Sequence, residues 1–86
     1  MTGRELVAWN VRKLRTAKGV SQERLAADAG IARGYMGDIE RGLRAASVDI
    51  LDRLAAALGV ETAALLRVPD AGEASPEALP RGRRRA

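Results

Sequence analysis

Glycines divide the first 66 residues into short segments, and their spacing constrains the fold more than any other feature of the sequence. Within each segment the apolar residues recur at helical spacing, and a glycine follows where a helix would end in the left-handed conformation. Three segments begin with a hydroxyl side chain, which is a preferred N-cap. The pattern therefore predicts a series of short helices. The caps are Thr2, Ser21 and Ser47, and the glycines are Gly19, Gly30, Gly42 and Gly59.

We predict that these helices pack into one compact all-α domain over residues 1–67. Phe is absent and aromatic residues make up only 2% of the chain. The core must therefore consist of Leu, Ile, Val and Ala, which favours closely packed helices over a β-sandwich. Five helices are expected. The first lies between the Thr2 cap and Gly19, and the others span 22–29, 32–41, 48–58 and 61–66.

Residues 68–86 are predicted to form a flexible, disordered tail. They contain Pro69, Pro76 and Pro80 and show no apolar periodicity, which is typical of a segment that cannot bury enough apolar surface to fold. The tail ends in an arginine cluster, which is either a solvated terminus or an arm that adds non-specific affinity for DNA. The cluster comprises Arg81, Arg83, Arg84 and Arg85.

Composition excludes several classes of function. The chain has no Cys and no His, which excludes disulfides, thiol nucleophiles, the Ser–His–Asp triad and the usual zinc sites. Because a helical domain of 86 residues also has little volume for a cleft, we expect no enzyme, no cofactor, no metal and no small-molecule ligand. No apolar run approaches the roughly 20 residues that span a membrane, and no signal peptide follows Met1, so a cytoplasmic protein is predicted.

The charge balance suits a polyanionic partner. The formal net charge is +4, with 15 basic against 11 acidic residues. Thirteen of the cations are Arg, whose planar guanidinium binds phosphate and guanine bidentately. A GC-rich genome would produce the same preference for Arg over Lys, so composition alone leaves both explanations open.

The stretch 22–41 has the pattern of a helix-turn-helix. Leu25 faces inward on the first helix, and Met36 and Ile39 share one face of the second. Gly30 between the helices allows the positive φ of a sharp turn. A motif of this kind presents its second helix to the major groove of DNA.

Five sequence motifs occur in the order and spacing of a known family. They are NVRKLR at 10–15, SQERLA at 21–26, AGI at 29–31, YMGDIERG at 35–42 and LDRLAAALGV at 51–60. With these motifs the chain resembles, over about 70% of its length, the lambda-repressor-like helix-turn-helix domain of the Cro/C1-type or XRE family. The resemblance implies a five-helix transcriptional regulator that binds double-stranded operator DNA, usually as a homodimer. The run RGYMGDIERG is most similar to restriction–modification controllers, with phage-type repressors and antitoxins as alternatives.

The resemblance also implies DNA contacts at the start of the second and third helices. Gln22 matches a position that contacts a phosphate, or it is only a helix-start residue. Arg33 and Gly34 occupy the exposed end of the third helix, where Arg33 binds guanine O6 and N7 or only a phosphate. Tyr35 either donates its hydroxyl to a phosphate or packs against the helix. Glycines at 34 and 37 replace larger polar residues, so either the backbone approaches DNA closely or specificity depends on DNA shape.

The end of the third helix carries further polar residues that the resemblance places near DNA. Asp38 either accepts a hydrogen bond from cytosine N4 or orients Arg33 or Arg41. The orienting role is favoured because a carboxylate repels the DNA backbone. Arg41 and Arg44 match positions at which family members contact the sugar–phosphate chain.

Two further sets of residues are assigned to architecture and assembly. The resemblance implies an ion pair between Arg15 and Glu40 that ties the first helix to the third. The dimer surface is expected on the fourth and fifth helices, at Val60, Leu65 and Leu66. An alternative function has the same fold acting as an antitoxin or adaptor whose main partner is a protein, with DNA binding secondary.

Overall fold

The computed structural model describes residues 1–73, and every regular element in this part of the chain is a helix. Helix α1 spans Gly3–Lys18, α2 spans Gln22–Ala29, α3 spans Arg33–Glu40 and α4 spans Val48–Leu58, and a 3₁₀ helix follows at Thr62–Leu66. The all-helical fold class is therefore confirmed. None of these helices is both long and apolar enough to pass through a membrane.

Two elements differ from the prediction. Helix α3 is one residue shorter at each end than 32–41, because Ala32 has extended backbone as the N-cap and Arg41 is the C-cap. The expected fifth α-helix is the 3₁₀ helix instead, in which the Ala64 N–H donates to the Glu61 carbonyl at 2.9 Å. A segment of only five residues is typical of the tighter 3₁₀ turn.

The helix ends follow from local signals. The Thr2 hydroxyl accepts from the Glu5 N–H at 3.2 Å, and the Glu5 carboxylate accepts from the Thr2 N–H at 2.8 Å, which forms a capping box. Ser21 and Ser47 cap α2 and α4 in the predicted way. Gly30 ends α2 at φ +71°, a conformation that favours glycine, and so turns the chain sharply into α3.

Aliphatic side chains from all the helices form one core. Leu65 belongs to this core and is fully buried, so the expectation that its side chain lies on a dimer surface is wrong. Because a 3₁₀ helix turns every three residues, Leu65 points inward while the next residue, Leu66, stays 44% exposed. The largest fully buried side chains are Val11, Leu25, Met36, Ile39, Leu54 and Leu65.

A buried asparagine joins the two ends of the domain. Asn10 lies on α1 and is only 2% exposed. Its Nδ2 donates to the backbone oxygens of Leu65 at 3.1 Å and Arg67 at 2.8 Å. The last carbonyls of a helix have no partner within that helix, and here Asn10 supplies one. The side chain therefore holds the 3₁₀ helix against α1.

One residue of the segment that the sequence assigned to the tail, Glu73, lies against α1. The Glu73 carboxylate contacts Lys13 Nζ at 3.1 Å and Arg67 Nη2 at 2.8 Å. Both cations lie over the Trp9 ring, at 5.1 and 5.9 Å from its centroid, where cation–π attraction contributes. Residues 74–86 of the predicted tail lie outside the described residues, including Pro76, Pro80, Arg81, Arg83, Arg84 and Arg85.

Replacement of Asn10 by Ala is expected to lower the free energy of unfolding by about 1–3 kcal/mol, because two carbonyl oxygens lose their donor. Urea unfolding followed by circular dichroism measures the loss. The control is Thr62→Ala, which removes an exposed 2.7 Å bond to Asp52 on α4. This change should stay within about 0.5 kcal/mol. Equal losses in the two variants would show that Asn10 does not fasten the domain.

The contacts of Glu73 with Lys13 and Arg67 are expected to persist to low pH. Hydrogen bonds from Arg67, the Asp70 N–H and Lys13 lower the pKa of Glu73 from 4.5 to about 2. Because the pKa is lower in the docked form, docking is fully stabilised above about pH 4.5 and is lost as the pH falls towards 2. An NMR titration of the Glu73 carboxyl should show the low midpoint, and Arg67→Ala should raise it. A midpoint near 4.5 in the unaltered protein would contradict the docking.

Candidate nucleic-acid interface

Helix α3 has one buried face and one exposed end. Met36 and Ile39 are fully buried against the core, which fixes the orientation of the helix. At the N-terminal end, the Arg33 side chain is 76% exposed. A Cβ added at Gly34 would meet nothing within 4 Å. The packing therefore leaves the beginning of α3 open on the outside of the domain.

The exposed Arg33 has an acidic neighbour on α2. Its Nη2 lies 3.2 Å from Glu23 Oε2, and both side chains are exposed. Exposed ion pairs of this kind contribute little to stability, so Arg33 can exchange Glu23 for another partner. Sequence reasoning did not identify this pairing, because the position of Glu23 in the first turn of α2 indicates only a favourable interaction with the helix dipole.

Asp38 and Tyr35 hold the loop that follows α3. Asp38 accepts a hydrogen bond from Arg41 at 2.7 Å, and its other oxygen lies 3.4 Å from Arg44 Nη2. The Arg44 guanidinium also lies over the Tyr35 ring, 5.4 Å from its centroid. The Tyr35 hydroxyl donates to the Ala45 carbonyl at 3.2 Å. Because a tyrosine hydroxyl has one proton to donate, a bond from Tyr35 to a phosphate requires this internal bond to break.

A buried carboxylate behind this surface connects three helices. Glu40 is 3% exposed and accepts hydrogen bonds from Arg15 Nε at 2.7 Å, Arg15 Nη2 at 3.0 Å and Gln22 Nε2 at 3.2 Å. Arg12 donates to the backbone oxygen of Glu40. The family resemblance identified Arg15 and Glu40 as a pair. It missed the bonds from Arg12 and Gln22, because both depend on how the helices cross.

The two glycines of α3 have different surroundings. Gly34 is open, whereas Gly37 is buried. A Cβ added at Gly37 would lie 3.5 Å from both Gln22 Oε1 and Arg41 Nη1. Side chains therefore cover Gly37, and of the two glycines only Gly34 leaves the backbone of α3 open to a close approach.

Three arginines at the two ends of α3 each have an acidic neighbour in the isolated chain. Binding a polyanion would exchange a carboxylate for a phosphate, and charge-assisted hydrogen bonds from Arg favour either partner. Within residues 1–73, no group of three or more His, Cys, Asp and Glu could hold a metal ion. The arginines are Arg33, Arg41 and Arg44, and the carboxylates are Glu23 and Asp38.

Two short helices joined at Gly30, the second fixed by its buried face and open at its N-terminal end, form the arrangement of helix-turn-helix DNA-binding proteins. The chain belongs to the helix-turn-helix family, whose model matches residues 11–65. The predicted resemblance to lambda-repressor-like regulators is thus confirmed, and the chain is a DNA-binding transcriptional regulator.

Several relatives are named as controllers or transcription factors. The control protein C.BamHI of Bacillus amyloliquefaciens is 42% identical over 64 residues, which covers 73% of this chain and 79% of that protein. A hypothetical transcription factor from Neisseria superposes with a TM-score of 0.76 at 38% identity, over 79% of this chain and 78% of that one. The restriction-modification controller C.AhdI of Aeromonas hydrophila superposes with a TM-score of 0.70 at 44% identity, over 72% of this chain and 94% of that one.

Replacement of Arg15 by Met is expected to lower the free energy of unfolding by about 3–5 kcal/mol, because Glu40 stays buried without a partner charge. Chemical unfolding measures the change. The control is Arg24→Ala, which breaks the exposed 3.1 Å pair with Asp28 on α2. It should cost no more than about 0.5 kcal/mol. Similar losses in both variants would show that Arg15 does not stabilise the domain through Glu40.

Proposed function

We propose that the protein regulates transcription as a homodimer on a pseudo-palindromic operator, with α3 of each copy in a major groove. The observation that carries the proposal is the open end of α3, where the exposed Arg33 lies beside the uncovered backbone of Gly34. Two copies related by two-fold symmetry would place their α3 helices about 34 Å apart, one turn of DNA.

Each polar residue of the motif has a role in this proposal. Arg33 leaves Glu23 and donates to guanine O6 and N7, the bidentate contact that distinguishes guanine from other bases. Gly34 lets the main chain approach the groove. Contacts with the sugar–phosphate chain fix the orientation of the protein and carry no base specificity. These contacts come from Gln22, Arg41 and Arg44. Asp38 positions the two arginines, the Tyr35 ring lies against Arg44, and Glu40 holds Gln22.

Exposed apolar side chains after α4 support the homodimer. Leu66 is 44% exposed and Val68 is 70% exposed. Val60 is half-buried and packs against the core between α4 and the 3₁₀ helix. Burial of these side chains against a second copy would remove apolar surface from water and so favour association. We therefore propose a dimer surface at Val60 and Leu66, without the buried Leu65.

The class of regulator is proposed from the relatives. C.BamHI is named a control protein and C.AhdI a restriction-modification controller, and each is more than 40% identical to this chain over the matched residues. We propose that this protein likewise controls restriction–modification genes. The promoter bound in cells, identified by chromatin immunoprecipitation, tests this: a site outside any restriction–modification operon would contradict it.

A second candidate function is an antitoxin or adaptor whose main partner is a protein. Gly34 favours it, because a glycine offers no side chain to a base and leaves direct readout to Arg33. Selection from random duplexes separates the two functions. A dimeric regulator selects two inverted half-sites and binds them with a steep salt dependence. The absence of any selected sequence would contradict the operator proposal and favour the protein partner.

Substitutions at two arginines should have different effects on binding. Arg33→Ala is expected to relax the preference at one base pair of the selected site, with a loss of about 1–3 kcal/mol of discrimination. Arg44→Ala should weaken binding to all duplexes alike and reduce the salt slope by about 0.9. Competition binding at several salt concentrations measures both effects.

The control for both substitutions is Arg4→Ala, which removes an exposed cation from the first turn of α1, outside the proposed DNA and dimer surfaces. It should leave sequence preference unchanged. If Arg33→Ala keeps the preference of the unaltered protein, then α3 does not read the bases through this residue.

A further inference from the structure

An exposed ion pair connects the first turn of α2 to the first residue of α3. Arg33 Nη2 donates to Glu23 Oε2 at 3.2 Å, and the two side chains are 76% and 58% exposed. Within residues 1–73, neither side chain has another polar partner. The guanidinium of Arg33 therefore has two states on the outside of the domain, bound to Glu23 or released from it.

The backbone of α2 keeps Glu23 within reach of Arg33. The Ser21 hydroxyl accepts from the Arg24 N–H at 3.0 Å, which caps the first turn, and the buried Leu25 anchors the same helix in the core. A negative charge is stabilised at this end of a helix. Glu23 is therefore a constant acceptor beside Arg33, whichever base pair lies opposite α3.

An arginine that reads a base loses its partner when that base changes. Guanine offers O6 and N7 to the guanidinium, whereas adenine presents an amino donor in place of O6. A donor that is left without an acceptor in an interface costs the free energy of its removal from water as well as the lost hydrogen bond. This cost is smaller where the protein itself offers a replacement acceptor.

We infer that Glu23 determines how strictly the protein requires guanine, because it gives Arg33 a partner at half-sites that lack this base. The inference deepens the proposed function, since it assumes that Arg33 reads guanine. At a half-site with guanine, Arg33 leaves Glu23. At any other half-site, it keeps the pair of the isolated chain. Glu23 thus lowers discrimination at this base pair without contacting DNA, and it lets a dimer occupy a pseudo-palindrome whose two halves differ.

The test compares operator duplexes with guanine or adenine at the base pair where Arg33→Ala relaxes the preference. Glu23→Ala should raise the ratio of the two affinities roughly two- to fivefold for each altered half-site, the value of one exposed ion pair. In an Arg33→Ala background, Glu23→Ala should leave the ratio unchanged, because no guanidinium remains to be paired. An unchanged ratio in the Glu23→Ala variant, or a rise that persists without Arg33, would overturn the inference.

The control is Asp28→Ala, which removes another carboxylate from the same helix. Asp28 pairs with Arg24 at 3.1 Å, and its side chain is 41% exposed. This substitution changes the net charge as Glu23→Ala does, but it should leave the ratio of the guanine and adenine affinities unchanged. Circular dichroism melting verifies that each variant is folded. Equal rises of the ratio in the two variants would assign the effect to net charge and contradict the inference.

A duplex of random sequence tests the inference without an operator. On this duplex Arg33 should keep Glu23, so the pair adds no net charge to the interface. The double variant Glu23→Ala, Arg33→Ala should therefore bind as tightly as the unaltered protein and with the same salt dependence. Weaker binding by the double variant, with a salt slope smaller by about 0.9, would show that Arg33 already contacts a phosphate and would contradict the inference.

The two measurements separate the inference from the proposed function. A selected operator at which Arg33→Ala relaxes the preference, while Glu23→Ala leaves the ratio unchanged, would contradict the inference alone. The absence of any selected sequence would contradict the operator proposal. Equal binding of a random duplex by the unaltered protein and the double variant would then still support retention of the ion pair on DNA.

Discussion

The buried carboxylate of Glu40 constrains how the helices pack, because an unpaired charge in the interior is costly. Arg15 on α1 supplies the opposite charge, and Gln22 on α2 supplies a third hydrogen bond. The observed arrangement of α1, α2 and α3 brings these groups together. In that arrangement the apolar face of α3 meets the core, and its N-terminal end points away from the domain. The surface that contacts DNA in our proposal thus depends on a charge that DNA never touches.

The exposed arginines of the motif form ion pairs with carboxylates of the same chain. Arg33 has Glu23, while Arg41 and Arg44 share Asp38. These contacts are exposed, and such pairs are worth little in water, so they direct the arginines without holding them tightly. Association with DNA is then a replacement of partners. The attraction between the arginines and DNA is partly offset, because the carboxylates lose their partners. Binding is therefore favoured at DNA sites where the new hydrogen bonds are well formed.

Sequence reasoning succeeded where structure depends on neighbouring residues. The Ser21 cap and the Gly30 stop act within one helical turn, so the bounds of α2 follow from them. The pairing of distant residues such as Arg15 and Glu40 came from the family resemblance, since nothing in their spacing implies it. The burial of Leu65 and the covering of Gly37 depend on how helices cross and on the pitch of the 3₁₀ helix, which no local pattern encodes.

Asn10 connects the part of the domain that is made early with the part that is made late. Its hydrogen bonds join α1 to backbone groups 55 and 57 residues later in the chain. Helix α1 is made before the other α-helices of the domain, yet the partners of Asn10 follow them in the chain. During translation, the amide of Asn10 has no native partner until the 3₁₀ helix and Arg67 have been made. The native hydrogen bonds of Asn10 can therefore form only after residue 67 has been made.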